Sequence, residues 1–316
     1  MITYKHAKSK DIPSIINFLK NHWDSNHIIL KRPDIFSHYY LSEKKIPNYF
    51  LAFNSENEVI GTLGYITNKM FSKKVKGNGA WLSMWCVAHG LKEPVGFSLL
   101  KTLEEKLSVD FIATFGAGLH TLPYYNKLGY VTGAAEHWKC DLEKCNKFDN
   151  KWLVTDRSLS GNTIKNSTGK NEEYLQNKFI KTNFYKYLTF NISKNKDIVT
   201  NIVARVIDYP QENTKILRIV DFSGEINGIS ELAIYLAKQE NYKFINYVDI
   251  LLGSVRNSVS LSPIFHKCSS SNYLPLYFEP FIAEYAKKYF VYKSNNPEFR
   301  NNLIVTGDCD QDRPSM

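Results

Sequence analysis

The chain has 316 residues, of which 43% are hydrophobic and 14% aromatic, so it can bury a sizeable core and is not intrinsically disordered. At roughly 150 residues per domain, this length predicts two domains. No apolar run reaches the roughly 18 residues that a membrane-spanning helix needs, and the first residues lack the pattern of a signal peptide. We therefore expect a cytoplasmic protein that does not insert into membranes.

The formal net charge of +9 comes from 40 Lys and Arg residues against 31 Asp and Glu residues. Because the basic residues are scattered rather than clustered, the charge favours small phosphorylated ligands over nucleic acid. The five cysteines are odd in number and contain no C-x-x-C pair, which predicts reduced thiols and no metal site.

The first half of the chain alternates between predicted strands and helices. Apolar residues recur every three or four positions at 12–19 and again at 95–107, which is typical of helices with one buried face. In chain order, we predict a strand at 1–5, helices at 12–19 and 33–42, strands at 48–53, 59–66 and 80–90, a helix at 94–108, a strand at 110–117, a helix at 120–129 and one or two strands at 130–142. This order predicts an α/β protein with a mixed sheet and helices on both faces.

The second half repeats part of this order after a change in composition. Residues 144–178 are rich in Ser, Asn, Gly and Thr, which predicts a linker or a long excursion. Beyond it we predict strands at 185–192, 202–210 and 214–224, a helix at 226–241 and a strand at 242–252. Because a strand, a glycine, an amphipathic helix and a buried strand recur, we predict an internal duplication with domains at 1–143 and 179–316.

Three stretches of the first half resemble the GNAT superfamily of acyl-CoA-dependent N-acyltransferases, over roughly residues 1–140. "AWLSMWCVAHG" is similar to the strand whose edge pairs with pantetheine, and "LKEPVGFSLLKTLEE" lies where the family has its pyrophosphate loop and helix. "PYYNKLGY" is similar to the family's F-Y-x-K-x-G-F pattern. The resemblance implies tandem GNAT-like lobes, of which the second is degenerate, and acyl-CoA as the cosubstrate without a metal.

The resemblance also implies which residues contact the cosubstrate. The family's loop reads Q/R-x-x-G-x-G/A, but here that register holds Leu91, Pro94 and Gly96, so we expect Lys92 to supply the missing positive charge. Independently of the family, unpaired N–H groups at a helix N-terminus suit a diphosphate. The expected contacts are Trp85, Cys86, Val87, Lys92, Val95, Gly96, Phe97 and Ser98. Of these, Trp85 and Cys86 are expected beside the acyl chain, and the backbone N–H near Val87 is expected to stabilise the oxyanion.

A tyrosine is the expected proton donor. Aminolysis of a thioester requires protonation of the departing thiolate, and a phenol with a pKa of about 10 is protonated at neutral pH. In the family this group occupies the second position of the F-Y-x-K pattern, which is Tyr125 here. Tyr124 points about 100° away around the helix, so both phenols cannot serve one site. Packing in the core is the alternative role for Tyr125.

The general base has three candidates in the sequence. His89 follows the third long strand and His120 opens the tyrosine helix, so either could lie near the cleft, although a solvated surface histidine is the alternative for each. Asp221 ends a strand of the second half and is a candidate if the two halves face each other.

The C-terminal stretch "TGDCDQDRPSM" allows several interpretations. Its alternating aspartates lack the glycine and the glutamate of a calcium loop, so calcium is not expected, and a disordered polar tail is one alternative. The stretch also resembles the D-Q-D-R-P ending of tandem GNAT-like sugar N-acyltransferases of bacterial surface-polysaccharide (O-antigen or lipopolysaccharide) biosynthesis. That resemblance implies that Asp308, Gln311, Asp312 and Arg313 contact the acceptor.

Together these resemblances imply transfer of an acyl group from acyl-CoA to a nucleotide-linked amino sugar, with dTDP as the expected nucleotide. The amine would attack the thioester directly through a tetrahedral intermediate. Two alternatives stay open: an amino acid, a polyamine or a protein lysine as acceptor, or a catalytically silent GNAT-like module that binds a metabolite.

Overall fold

The computed structural model describes residues 1–91, 93–156, 159, 169–255, 261, 263–279, 281–300 and 303–313. Its α-helices are α1 (Ile12–His22), α2 (Ile28–Lys31), α3 (Pro33–Tyr40), α4 (Val95–Lys106), α5 (Leu122–Lys127), α6 (Glu172–Leu175), which continues as a π-helix over Gln176–Ile180, and α7 (Gly228–Lys238). Its strands are β1 (Thr3–His6), β2 (Tyr49–Phe53), β3 (Val59–Thr67), β4 (Gly79–Val87), β5 (Phe111–Ala117), β6 (Val131–Ala134), β7 (Glu136–Asp141), β8 (Leu153–Asp156), β9 (Tyr187–Lys194), β10 (Asp197–Tyr209), β11 (Thr214–Gly224), β12 (Ile245–Ser254), β13 (His266–Lys267), β14 (Tyr277–Phe278), β15 (Phe281–Ile282), β16 (Tyr289–Ser294) and β17 (Leu303–Val305).

The first sheet has the strand order β1-β2-β3-β4-β5-β16-β6. Its neighbouring strands are antiparallel except for β4 and β5, which run parallel and are connected through α4. These two strands pair over residues 79–81 and 111–113, and the described residues show no pairing between them beyond that stretch. The gap that opens between their C-terminal ends is called the first wedge.

The second sheet repeats this order as β8-β9-β10-β11-β12-β7-β13. Its parallel pair is β11 and β12, connected through α7, and their pairing over 215–218 and 245–249 is again confined, in the described residues, to the start of the strands. The gap between their C-terminal ends is called the second wedge. The predicted repeat of strand, helix and strand is therefore present, and the mixed α/β architecture is confirmed.

The two sheets exchange one strand each. β16, from the C-terminal part of the chain, lies between β5 and β6 of the first sheet. β7, from the first half, lies between β12 and β13 of the second sheet. Neither sheet is therefore built from one side of the predicted division at 143 and 178 alone.

The polar segment at 144–178 contains more structure than its composition predicts. Its strand β8 forms an edge of the second sheet, and its helix α6 packs beside β11. Both elements are only four residues long, so neither carries enough periodicity to be recognised in the sequence.

Helix α4 shows how the sequence positions the first wedge. Val95, Leu99 and Leu103 are buried in one apolar cluster with the strands of the first sheet, as their spacing predicts. Burial of each such side chain contributes roughly 1.5–3 kcal/mol, so the helix axis and its first turn are held against β4. Within the described ranges, no helix is both long enough and apolar enough to cross a bilayer.

Candidate active site

Two adjoining clefts open at the first wedge. The outer cleft, about 340 Å³, lies beside the first turn of α4, and the inner cleft, also about 340 Å³, lies deeper between β4 and β5. Trp85, His120 and Thr121 line both, so the two clefts adjoin along these residues, and together they are called the channel. No group of three or more His, Cys, Asp or Glu side chains in the described part of the chain is arranged to hold a metal.

The floor of the outer cleft depends on a glycine. A Cβ at Gly96 would lie 3.3 Å from Nε1 of Trp85 and 3.4 Å from Cγ1 of Val87. Any side chain there would therefore grow into the space between α4 and β4. Val95, which precedes it, is buried and also lines this cleft.

The first turn of α4 provides the backbone donors that the sequence predicts. Gly96 and Phe97 occupy positions whose N–H groups have no intrahelical partner in any α-helix. Ser98 differs, because its N–H donates to the carbonyl of Pro94 at 3.1 Å. Ser98 is therefore not one of the free donors. Lys92, the expected replacement for the family's basic residue, lies outside the described residues.

Two opposite charges flank the outer cleft. The ammonium of Lys127 lies 5.4 Å from the ring centroid of Phe97, which lines the cleft. Glu93 lines the same cleft with a carboxylate. The cation favours an anionic ligand and the carboxylate opposes it.

Strand β4 is distorted where it borders the inner cleft. Met84 has a φ of +50°, and Met84 and Trp85 together oppose Leu63 of β3, which is the geometry of a β-bulge. Val87, near which the family resemblance implies the oxyanion donor, stays in register with Gly61. The bulge lies two to three residues before the expected oxyanion donor and borders the inner cleft through Met84 and Trp85.

Cys86 points away from the clefts, contrary to the prediction that it flanks the acyl chain. Its Sγ donates to the carbonyl of His22 at 3.3 Å, and its side chain belongs to the apolar cluster on the α1 face of the sheet. Successive side chains of a strand point to opposite faces, so Trp85 and Cys86 cannot both line one cleft.

Tyr125 lies at the inner end of the channel. Its ring is buried and packs edge-on against Trp85 and Tyr130, each at 5.3 Å between centroids. Burial raises the pKa of Tyr125 well above its ordinary value, so the phenol keeps its proton and can act as a donor. Tyr124 is half exposed beside the outer cleft. Gly129 follows this helix with a φ of +79°, the left-handed conformation in which a glycine commonly ends a helix.

The structure separates the two histidine candidates. His120 lies where the inner and outer clefts meet. His89 is exposed, its ring lies 5.7 Å from that of His22, and it lies outside both clefts as the described residues define them. His120 is therefore the histidine in position to reach a ligand.

Asp221 lies inside the second lobe rather than at the channel. Its Oδ1 lies 2.5 Å from Nζ of Lys170 and accepts the N–H of Phe222 at 2.7 Å. Burial raises the pKa of Asp221 to about 6, against the opposing effect of Lys170. The carboxylate is fully buried, so it cannot serve as a base for a ligand in the first wedge.

The C-terminal segment fills the second wedge. β17 pairs with β12, and the following turn approaches β11 so closely that a Cβ at Gly307 would lie 2.8 Å from the carbonyl oxygen of Val220. Asp308 is fully buried, 2.6 Å from Nζ of Lys170, and Nζ of Lys178 donates to its backbone carbonyl at 2.7 Å. Asp308, expected to contact the acceptor, therefore anchors the segment instead, and the tail is ordered here rather than disordered.

The same segment then forms a wall of the inner cleft through Asp310. Its Oδ2 accepts hydrogen bonds from Tyr40 at 2.7 Å, from Ser83 at 3.2 Å and from Nε of Arg313 at 3.2 Å. Although burial alone would raise it, the Arg313 charge and the hydrogen bonds from Tyr40, Arg313 and Cys309 hold the pKa of Asp310 well below its ordinary value. Asp310 was not among the predicted site residues, because its role depends on partners far away in the chain.

Four residues of the tail, which are Thr306, Gln311, Asp312 and Arg313, border a third cavity of about 170 Å³, the inter-lobe cavity. Gln311 and Arg313 line both this cavity and the inner cleft. Asp312 lines the cavity as well, but its carboxylate is engaged by Nε of Arg205 and by the hydroxyl of Tyr187, each at 2.8 Å. Gln311 and Arg313 are therefore the predicted acceptor residues that connect two open spaces.

Three solved structures are similar to this chain over most of its length, and two of them are named GCN5-related N-acetyltransferases. A GCN5-related N-acetyltransferase from Anabaena variabilis is similar with a TM-score of 0.61 at 12% identity, covering 93% of this chain and 73% of the other. A conserved protein of unknown function from Enterococcus faecalis is similar with a TM-score of 0.59 at 9% identity, covering 94% and 73%. A GCN5-related N-acetyltransferase from Kribbella flavida has a TM-score of 0.52 at 8% identity, covering 94% and 71%.

No protein family model and no curated protein matches the chain. At these identities, the structural similarities establish the fold, which is the GNAT fold that the sequence predicts. What the fold does here depends on the clefts themselves.

Proposed function

We propose that this protein transfers an acyl group from acyl-CoA to a primary amine in the first wedge. The observation that carries the proposal is the pair of adjoining clefts that extends from the first turn of α4 to the buried Tyr125. Bound acyl-CoA would supply an activated thioester. The first-turn N–H groups of Gly96 and Phe97 suit its diphosphate, and the narrow space beside Trp85 suits its extended arm.

The residues around the inner cleft can perform the transfer. The acceptor amine forms the new C–N bond, the C–S bond breaks, and the hydroxyl of Tyr125 donates its proton to the departing sulfur. His120, which lines the channel, accepts the proton that the amine loses. The backbone N–H groups at the Met84–Trp85 bulge, which borders the inner cleft, are candidates to stabilise the developing oxyanion.

The acceptor that the C-terminal motif favours is a nucleotide-linked amino sugar, with dTDP as the proposed nucleotide. Support comes from Arg313, whose guanidinium borders both the inner cleft and the inter-lobe cavity. A guanidinium can bind a phosphate through two parallel hydrogen bonds. An amino acid, a polyamine or a protein lysine is the competing class of acceptor.

A silent metabolite-binding module is the second candidate function. The negative charge of Glu93 in the outer cleft favours it, as do Leu91 and Pro94 in place of the family's basic residue and glycine. An assay of thiol release from acetyl-CoA separates the two, with dTDP-linked amino sugars, free amino sugars, amino acids and polyamines as acceptors. Amine-dependent release supports the enzyme, and its pattern identifies the acceptor class. If the protein binds dTDP but neither binds CoA nor releases thiol from acetyl-CoA, the silent module is supported.

A further inference from the structure

Lys288 is a buried cation on the wall of the inter-lobe cavity. The residue is 8% exposed, and its Nζ donates to Oε1 of Gln311 at 3.2 Å. Among the described residues, no carboxylate oxygen lies within 4.0 Å of this nitrogen. Burial, with repulsion from Arg218 and Arg313, lowers the pKa of Lys288 to about 8. Burial of an ammonium without a counter-ion costs free energy, so an anion bound beside Lys288 would stabilise its charged form.

The other cations of this cavity already have carboxylate partners. Arg218 is paired with Asp249 at 2.6 Å and also donates to two backbone carbonyls. Arg205 is paired with Asp312 at 2.8 Å, and Glu279 lies 3.6 Å from its Nη1 on the same wall. Lys288 therefore differs from these arginines in having no carboxylate partner among the described residues, and its Nζ lies instead 5.1 Å from the ring centroid of Tyr277.

Arg313 is the second group able to bind an anion here. Its Nε is directed to Asp310 at 3.2 Å and its Nη2 lies 2.9 Å from Nε2 of His27, which leaves further N–H donors of the guanidinium. It borders the cavity from the side of the inner cleft. An anion between Lys288 and Arg313 would meet one buried ammonium and one fork of donors.

We propose that the inter-lobe cavity binds an anionic group of the acceptor, a phosphate or a carboxylate, with Lys288 as its counter-ion. This inference rests on the proposed acyl transfer in the adjoining inner cleft. The cavity of about 170 Å³ is close in size to a cavity of about 150 Å³ that binds benzene, so it accommodates one such group with a few further atoms.

Gln311 sets the distance between the anion and the reacting amine. Its side chain stands between the cavity and the inner cleft, in a space that is open because Gly116 has no side chain: a Cβ there would lie 2.7 Å from Oε1 of Gln311. The anion and the amine would bind on either side of this partition. The site therefore selects acceptors in which the two groups are a few bonds apart.

A matched set of small acceptors tests this selection. Ethanolamine, O-phosphoethanolamine and β-alanine carry the same primary amine two carbons from a neutral group, a phosphate or a carboxylate. With acetyl-CoA, we expect kcat/KM to be at least tenfold higher for one of the anionic acceptors than for ethanolamine. Which of the two is preferred identifies the anion.

The Lys288→Met variant should reduce that preference to less than twofold, whereas Lys287→Met, at the exposed neighbouring lysine, should retain it. An equal preference in wild type and Lys288→Met, or no preference in wild type, would overturn the proposal. Circular dichroism checks the fold, and if Lys288→Met does not fold, Lys288→Gln replaces it.

A binding measurement tests the anion site without relying on turnover. Inorganic phosphate and acetate are titrated into wild type, Lys288→Met and Lys287→Met by calorimetry. We expect one anion to bind wild type and Lys287→Met alike and to bind Lys288→Met at least tenfold more weakly. If this holds while no amine is acylated, the anion site stands and the proposed acyl transfer fails. If neutral amines are acylated and neither anion shows Lys288-dependent binding, the acyl transfer stands and the anion site fails.

Discussion

The carboxylate of Asp310 accepts a 2.7 Å hydrogen bond from the hydroxyl of Tyr40, although the two residues are 270 positions apart. This bond ties the C-terminal segment to α3 of the first lobe and fixes one wall of the inner cleft. The preceding residues of the same segment fill the second wedge. The C-terminal segment thus fills the second wedge and also forms one wall of the inner cleft at the first wedge.

Replacement of Tyr125 by Phe should lower kcat by about 10²-fold or more while the Kd for acetyl-CoA changes little, because the variant loses the proton for the departing sulfur and keeps the ring. Tyr124→Phe is the matched control, since that phenol is 50% exposed one position earlier. Steady-state rates and calorimetric titration of both variants provide the measurement. Equal turnover in wild type and Tyr125→Phe would restrict Tyr125 to packing.

Replacement of Asp310 by Asn should raise the acceptor KM several-fold with little change in acetyl-CoA affinity. The amide keeps the size of the side chain but removes the charge that holds Arg313 at 3.2 Å. Asp208→Asn, at an exposed aspartate paired with Lys215, is the control. If Asp310→Asn changes only the affinity for acetyl-CoA, Asp310 contributes to binding of the cosubstrate and not of the acceptor, contrary to this prediction.

Replacement of Lys170 by Met should destabilise the fold by about 3–5 kcal/mol, because Asp221 and Asp308 would remain buried without their shared cation. Although burial alone would lower it, the two carboxylates raise the pKa of Lys170, which shows that they stabilise its charged form. Urea denaturation compares this variant with Lys181→Met at an exposed lysine. If the free energy of unfolding falls by less than about 1 kcal/mol, the contacts of Lys170 with Asp221 and Asp308 do not anchor the tail.

The acid stability of the protein should depend on Asp249. Burial would raise its pKa, but Arg218 and His137 together lower it from 3.8 to about 2. Because the folded-state pKa is depressed, the stabilisation is complete above about pH 4 and is lost as the pH falls towards 2. At 1.36 kcal/mol per pKa unit, this amounts to about 2 kcal/mol. Urea denaturation at intervals from pH 5 to pH 2 should show a shallower acid loss for Asp249→Asn than for wild type. Parallel curves would assign the acid sensitivity to other groups.

Local periodicity predicted the elements that build the two wedges. The spacing of Val95, Leu99 and Leu103 predicted the buried face of α4, and the second strand–helix–strand unit was predicted in the same way. These predictions succeed because the pattern of one helix or strand is set by the core face that it buries.

Relationships across the chain were not predictable in this way. The exchange of β7 and β16 between the sheets depends on pairing partners more than 100 residues away, which no local pattern encodes. Cys86 was misplaced because the resemblance gave its position in the strand but not the face to which it points. Asp308 and Asp221 were expected to contact ligands, and only the fold shows that both carboxylates instead form ion pairs with Lys170.

The central claim is that the channel beside Gly96 binds acyl-CoA, and a calorimetric titration with acetyl-CoA tests it most directly. Wild type and Glu105→Leu, a substitution at an exposed position near the end of α4, should bind with the same Kd. Gly96→Leu should bind at least tenfold more weakly, since its side chain would occupy the space beside Trp85 and Val87. Equal binding by all three proteins, or no binding by wild type, would contradict the account.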